Sequence, residues 1–173
     1  MNDHLKQLVK TIFELNREYY RLKGYRDHQQ LGPPTPIQEI EKVEHQFSIR
    51  LPSDYRSFLQ AHNGWRQFEG QMDLLSTLQM REKRMIENVA YIRRLAEDEG
   101  RSGIAEGFVI QGCATSGDIV FLDYASEKTG LGTQVVRWDI EEVERYSSFT
   151  TYLEQTAQIL EKLVNSEQER LRK

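Results

Sequence analysis

Leu5, Leu8, Ile12, Leu15, Tyr19 and Leu22 recur at three- and four-residue steps, and lysine and arginine fill much of the sequence between them. That spacing lines one face with apolar side chains and predicts an amphipathic helix over 3–23, closed by Gly24. Such a helix either covers the main body or pairs with a second copy of the chain as a homodimer. A polar stretch, "DHQQLGPPTP", follows and reads as a linker. Thr35 is followed by Pro36 and then by Gln38, the pattern of a capping box with proline at the first helical position. It predicts a helix from about Pro36 to Gln46, with Ile37, Ile40, Val43 and Phe47 near one side. "FSIRLP" then alternates and reads as a short extended segment.

In "LPSDYRSFLQAHNG" both ends of a helix are marked. Pro52 suits a first turn, Ser53 and Asp54 supply acceptors there, and Asn63-Gly64 suit a left-handed ending. Tyr55, Phe58, Leu59 and His62 fall on one side of it. A helix of about three turns is marginal alone, so this stripe is predicted to be core. "GWRQFEGQMDLLS" reads as extended, anchored by Trp65, Phe68 and Met72. Residues from about Leu78 to Glu99 read as a charged helix with Met85, Val89, Ile92 and Ala96 inward, and Gly100, Gly103 and Gly107 mark a loop. "FVIQG", "DIVFLDY" and "TQVVRWD" are strand-like, with hairpin chemistry in "ATSGD" between the first two. Phe149, Tyr152, Leu153, Ile159, Leu160 and Leu163 predict a last helix whose tail, "NSEQERLRK", frays. The order predicts an α+β fold: a mostly antiparallel sheet flanked by helices, with an extra N-terminal helix. The expected divisions are residues 1–31, a domain over 32–160, and the helix end at 161–173.

Charge sharpens this picture. Residues 32–160 hold 13 Lys/Arg against 20 Asp/Glu, while residues 1–31 hold six against four. An acidic middle repels phosphates, which argues against nucleic acid; it is compatible with a basic protein partner and equally with a surface charged for solubility. No apolar run approaches the ~20 residues of a membrane span, and no secretory signal is visible. Cys113 has no second cysteine to pair with; beside an apolar run it reads as a small buried hydrophobe. These features fit a cytoplasmic protein.

The search for reaction chemistry returns little. The four histidines, His4, His28, His45 and His62, are scattered without metal-ligand spacing. No phosphate-cradling loop or nucleophile elbow occurs. Asp118 and Asp123 are five apart in "DIVFLD", a spacing that sends strand side chains to opposite faces. Asp139, Glu141, Glu142 and Glu144 cluster in "WDIEEVE", which reads as a solvated acidic loop or a patch for a basic partner. Trp65 and Trp138 read as sheet core, with exposed binding anchors as the alternative. No cofactor, metal or catalytic residue is expected.

These residues together resemble the SUKH superfamily, which includes fungal cell-wall assembly regulators and many bacterial immunity proteins. The resemblance rests on Leu51, Pro52, Tyr55, Phe58, Leu59, Asn63 and Gly64, then on Gly117, Asp118 and Asp123, and on Trp138 and Asp139. "SSFTTYLE" looks like the closing helix of that family, and the coverage is roughly residues 36 to 157. Two departures stand out: Ser48 where glycine is common, and a "CATSGD" turn with little glycine. The first helix lies outside the resemblance. The resemblance implies a non-enzymatic immunity protein that binds and neutralises a cognate toxin, often a nuclease with a basic cleft. Its alternative is a regulatory scaffold without a toxin. Asp118, Asp123, Asp139, Glu141, Glu142 and Glu144 are the expected partner contacts.

Overall fold

Among the described residues, every strand pairs antiparallel with the next one along the chain. The computed structural model describes residues 1–98, 100, 107–113, 118–125, 130, 132–139 and 141–172, with only the backbone at Ala96 and Glu141. Over those residues the helices are α1 (Asp3–Lys23), α2 (Ile37–Phe47), α3 (Ser53–Ala61), α4 (Lys83–Asp98) and α5 (Phe149–Arg172). The strands are β1 (Gln30–Leu31), β2 (Trp65–Glu69), β3 (Met72–Leu74), β4 (Gly107–Gly112), β5 (Ile119–Asp123), β6 (Gln134–Asp139) and β7 (Glu141–Tyr146). The fold is α+β, as the element order predicts. The turn "ATSGD" falls largely on residues 114–117, and Gly103 on 101–106, outside the described residues. Gly107 opens β4 and does not belong to a loop.

The aromatic stripe of α3 faces inward. Tyr55, Phe58 and Leu59 are fully buried, and the Phe149 ring of α5 lies 4.8 Å from Tyr55 and 5.4 Å from Phe58, centroid to centroid. Trp65 and Trp138 are core as well. Pro52 begins α3 without any side-chain cap. Asp54 acts on a different helix: its Oδ2 accepts the Thr150 N–H at 2.9 Å, in the first turn of α5. A carboxylate there satisfies a donor that α5 cannot satisfy itself, and it ties the two helices together.

The Asn63-Gly64 pair does more than end a helix. His62 is already extended, and only Gly64 is left-handed, at φ 87°. Asn63 Oδ1 accepts the Thr77 N–H at 2.9 Å, its own N–H donates to the Pro33 carbonyl at 2.9 Å, and Gly32 N–H donates to the Gly64 carbonyl at 2.9 Å. The pair therefore clasps the chain before α2 to the chain after β3. The stretch expected as a linker is drawn into the fold the same way, since Gln30 and Leu31 pair with Arg66 and Trp65. Burial of His62 holds its imidazole pKa below the ordinary value.

Four expectations are corrected. The Thr35–Gln38 capping box does not form: Pro36 is the cap of α2 and no side chain caps it. The charged helix starts at Lys83, because Gln79–Arg81 form a separate 3₁₀ turn and Glu82 is extended. On α1 the buried stripe is Leu5, Val9, Ile12 and Asn16. Asn16 is inside because a bulge in β2, with Gln67 at φ 49°, takes the Phe68 carbonyl out of the β2–β3 ladder; Asn16 Nδ2 donates to it at 2.9 Å. Finally, α5 continues to Arg172 where fraying was expected. His4–Glu154 and Lys23–Glu167 contacts, each 2.8 Å, show α1 running alongside α5 in the same direction, and Leu160 and Val164 are buried. A tail covered by a neighbouring helix keeps its hydrogen bonds through packing.

Ser48 ends α2 in the left-handed region, at φ 53° and ψ 42°. A side chain at such a position is strained, and glycine is not. Ser48→Gly is expected to stabilise by roughly 0.5 kcal/mol, after allowance for the greater freedom of the unfolded glycine chain. The check is a urea midpoint that rises with an unchanged slope.

Candidate functional site: the acidic end of the sheet

The segment expected as an acidic loop is an edge strand. Glu141–Tyr146 forms β7, the last strand of the sheet, beside β6. A bulge lies in it: Glu144 faces Arg137 while Glu142 faces Trp138, so Val143 has no opposite number and stands 56% exposed. The extra residue puts Glu142 and Arg145 on the same side of the strand, where simple alternation would separate them. The Arg145 guanidinium uses that geometry. It donates to both oxygens of Glu142, at 3.0 and 2.8 Å, to Asp123 Oδ2 at 2.5 Å and to Gln134 Oε1 at 3.0 Å. Its hydrogen bonds to Glu142 and then to Asp123 hold it protonated far above its ordinary range.

The structure therefore divides the six predicted carboxylates. Asp123 is 6% exposed and engaged by Arg145, with its Oδ1 accepting the Ala125 N–H at 2.9 Å. It joins the ends of β5, β6 and β7. Register places Asp118, Asp139 and Glu141 together at the opposite end of these strands, because Ile119 faces Trp138 and Asp139 faces Glu141. The two ends are separated by roughly 17 Å of strand. Asp139, Glu142 and Glu144 are exposed and Asp118 is half-buried. Glu144 Oε2 accepts the Tyr146 hydroxyl at 2.6 Å; burial first, and this carboxylate second, push that phenol up. The result is a negative, bulged sheet edge. Charge and a bulge both discourage another strand from pairing there, so a partner is met by side chains more than by backbone.

A second polar cluster escaped the sequence reading. Glu69 of β2 accepts from Arg137 of β6 at 3.1 Å and from Gln111 Nε2 of β4 at 2.8 Å, and Tyr152 of α5 brings its hydroxyl to Gln111 Oε1 and to within 3.2 Å of Glu69. Burial, reinforced by Glu69, holds the Tyr152 phenol well above its ordinary pKa, so it stays neutral and serves as a donor. The cluster joins three strands to the helix above them. No sequence pattern joins positions 69, 111, 137 and 152; only the register does. Cys113 is half-buried where burial was expected, and its carbonyl accepts from Asn88 at 3.3 Å. Among the described residues, no three His, Cys, Asp or Glu side chains are grouped to hold a metal ion, and no helix is long and apolar enough to cross a membrane.

A model of the SMI1 / KNR4 family (SUKH-1) matches residues 34–155. The chain belongs to this family. It is also similar to the uncharacterised protein YnaB of Bacillus subtilis (strain 168), at 28% identity over 111 residues. That match covers 64% of this chain and 65% of YnaB, just under two thirds of its length. In this SUKH-1 protein the residues that carried the resemblance are mainly architectural. Leu51, Tyr55, Phe58 and Leu59 are core, and Asn63-Gly64 is a clasp. The acidic edge β7 falls inside the SUKH-1 span, whereas α1 and the second half of α5, which pack on each other, fall outside it.

Proposed function

We propose that this SUKH-1 protein is an immunity protein that binds a cognate toxin, and neutralises it by contact without catalysing a reaction. The observation that carries this reading is the exposed acidic edge on β6 and β7 of a chain whose family includes immunity proteins. A toxin that acts on nucleic acid needs a basic cleft to hold phosphates. Asp139, Glu142 and Glu144 compete for that cleft by charge, and complementary charge also speeds encounter. Asp118 and Glu141, at the Asp139 end of these strands, extend the contact. The partner is thus a basic protein, met in the cytoplasm of the cell being protected.

The test adds the purified protein to the toxin captured with it from the native organism. A stoichiometric complex and loss of toxin activity are expected. A toxin fully active at saturating protein contradicts the proposal, and capture of a non-toxic regulatory assembly instead favours the scaffold reading.

A further inference from the structure

Helix α4 is only lightly committed to the core. Among its described side chains Met85 and Ile92 alone are buried, whereas Ile86, Tyr91 and Leu95 are 37%, 53% and 44% exposed. A cleft of about 120 Å³ lies beside it, walled by Phe47, Met80, Met85, Val89, Phe108 and Val109. Engineered apolar cavities of about 150 Å³ admit a benzene ring. This cleft is smaller than that, so a single ring, or a branched aliphatic group of that bulk, is the most it can take.

One wall is charged. Arg93 lines the cleft, donates from a terminal nitrogen to the Gly107 carbonyl, and has a buried Nε with no acceptor. Burial works against its charge, opposed through space by Glu97 one turn on. The Nε is closed off from the cleft, so an anion there meets the guanidinium through its terminal nitrogens, and a charge-assisted hydrogen bond to it offsets part of the cost of burying that charge. Apolar walls of ring size and an under-satisfied guanidinium on the same cleft define one kind of ligand chemistry.

We propose that the cleft beside α4 binds a small apolar monocarboxylic acid, with its ring or branched chain among Phe47, Met85, Val89 and Phe108 and its carboxylate facing Arg93. A neutral ring gains only the apolar part of this interaction, and an amine of the same shape meets repulsion. The site draws on none of the residues of the acidic edge. Its failure would leave the immunity reading untouched, and the reverse holds too.

Calorimetric titration of the full chain tests this with phenylacetate as the probe, against benzene and phenethylamine. Phenylacetate is expected to bind more tightly than either. Arg93→Met is expected to weaken phenylacetate by roughly ten- to a hundredfold, the loss typical of removing a hydrogen bond to a charged group, and to leave benzene unchanged. Val89→Trp fills the cleft and is expected to abolish binding of both. Should Arg93→Met fail to fold, the ranking of the three probes on the unaltered chain decides alone. Absence of phenylacetate binding overturns the proposal. So does phenethylamine binding equally well, or an Arg93→Met protein that retains phenylacetate affinity.

Discussion

Phe58→Asp is expected to leave the domain largely unfolded on modest warming. Phe58 has no exposed surface and sits against Tyr55 and Phe149. Removing a buried phenylalanine side chain costs about 3–5 kcal/mol before any charge is considered. Aspartate adds a carboxylate that must either stay buried and unpaired or take up a proton. Set against the ~5–15 kcal/mol that holds a domain together, the loss is a large share of the whole. A thermal melt followed by circular dichroism is expected to fall by roughly 10–20 °C. An unshifted midpoint would mean that the stripe does not carry the core.

The second large effect is at Gly64. Its φ of 87° is strained for any side chain, and an added Cβ would lie 2.7 Å from the Ser76 nitrogen and 2.9 Å from the Leu74 carbonyl oxygen. Both neighbours are backbone, so relief requires moving the chain after β3 and with it the Asn63–Thr77 hydrogen bond. Gly64→Ala is expected to cost about 3 kcal/mol, read as a lowered denaturant midpoint. Gly70 supplies the control: its φ is 60°, but nothing lies within 4 Å of an added Cβ. Gly70→Ala is expected to cost only about 1 kcal/mol, the conformational part alone. Equal losses at the two sites would show that the close approach at Gly64 contributes nothing.

Most of the fold could be read from local signals. The stripe of Tyr55, Phe58 and Leu59 has helical period and large side chains, so its inward face follows from spacing. The strand-like runs around Val109, Phe121 and Val136 are equally plain, because β-branched and aromatic residues dominate them. What escaped depends on contacts distant in sequence. β7 was hidden because four acidic residues in "WDIEEVE" mask strand alternation, and because its bulge at Val143 shifts the period. Asn16 looked like surface on α1; it is buried only because a bulge in β2 leaves a carbonyl for it. The helical continuation past residue 160 depends on α1 lying alongside, 144 residues away at the Lys23–Glu167 pair. The tie between Asp123 and Arg145 is hidden for the same reason: the two meet only when β5, β6 and β7 align. The exposed carboxylates Asp139, Glu142 and Glu144 were legible from composition, because solvated acidic side chains need no distant partner to stay at the surface.

The most direct test of the account is the affinity for the captured toxin, measured over a range of salt concentrations, for the unaltered chain and for a Glu142→Gln/Glu144→Gln double variant. Both substitutions remove charge at nearly constant size; the amide at 144 still accepts the Tyr146 hydroxyl, the one at 142 keeps only one of its two bonds from Arg145, and a thermal melt confirms that the fold is retained. The account predicts weaker binding and a shallower salt dependence in the variant. Unchanged affinity with an unchanged salt slope would contradict it, because the acidic edge would then not be where the partner is held.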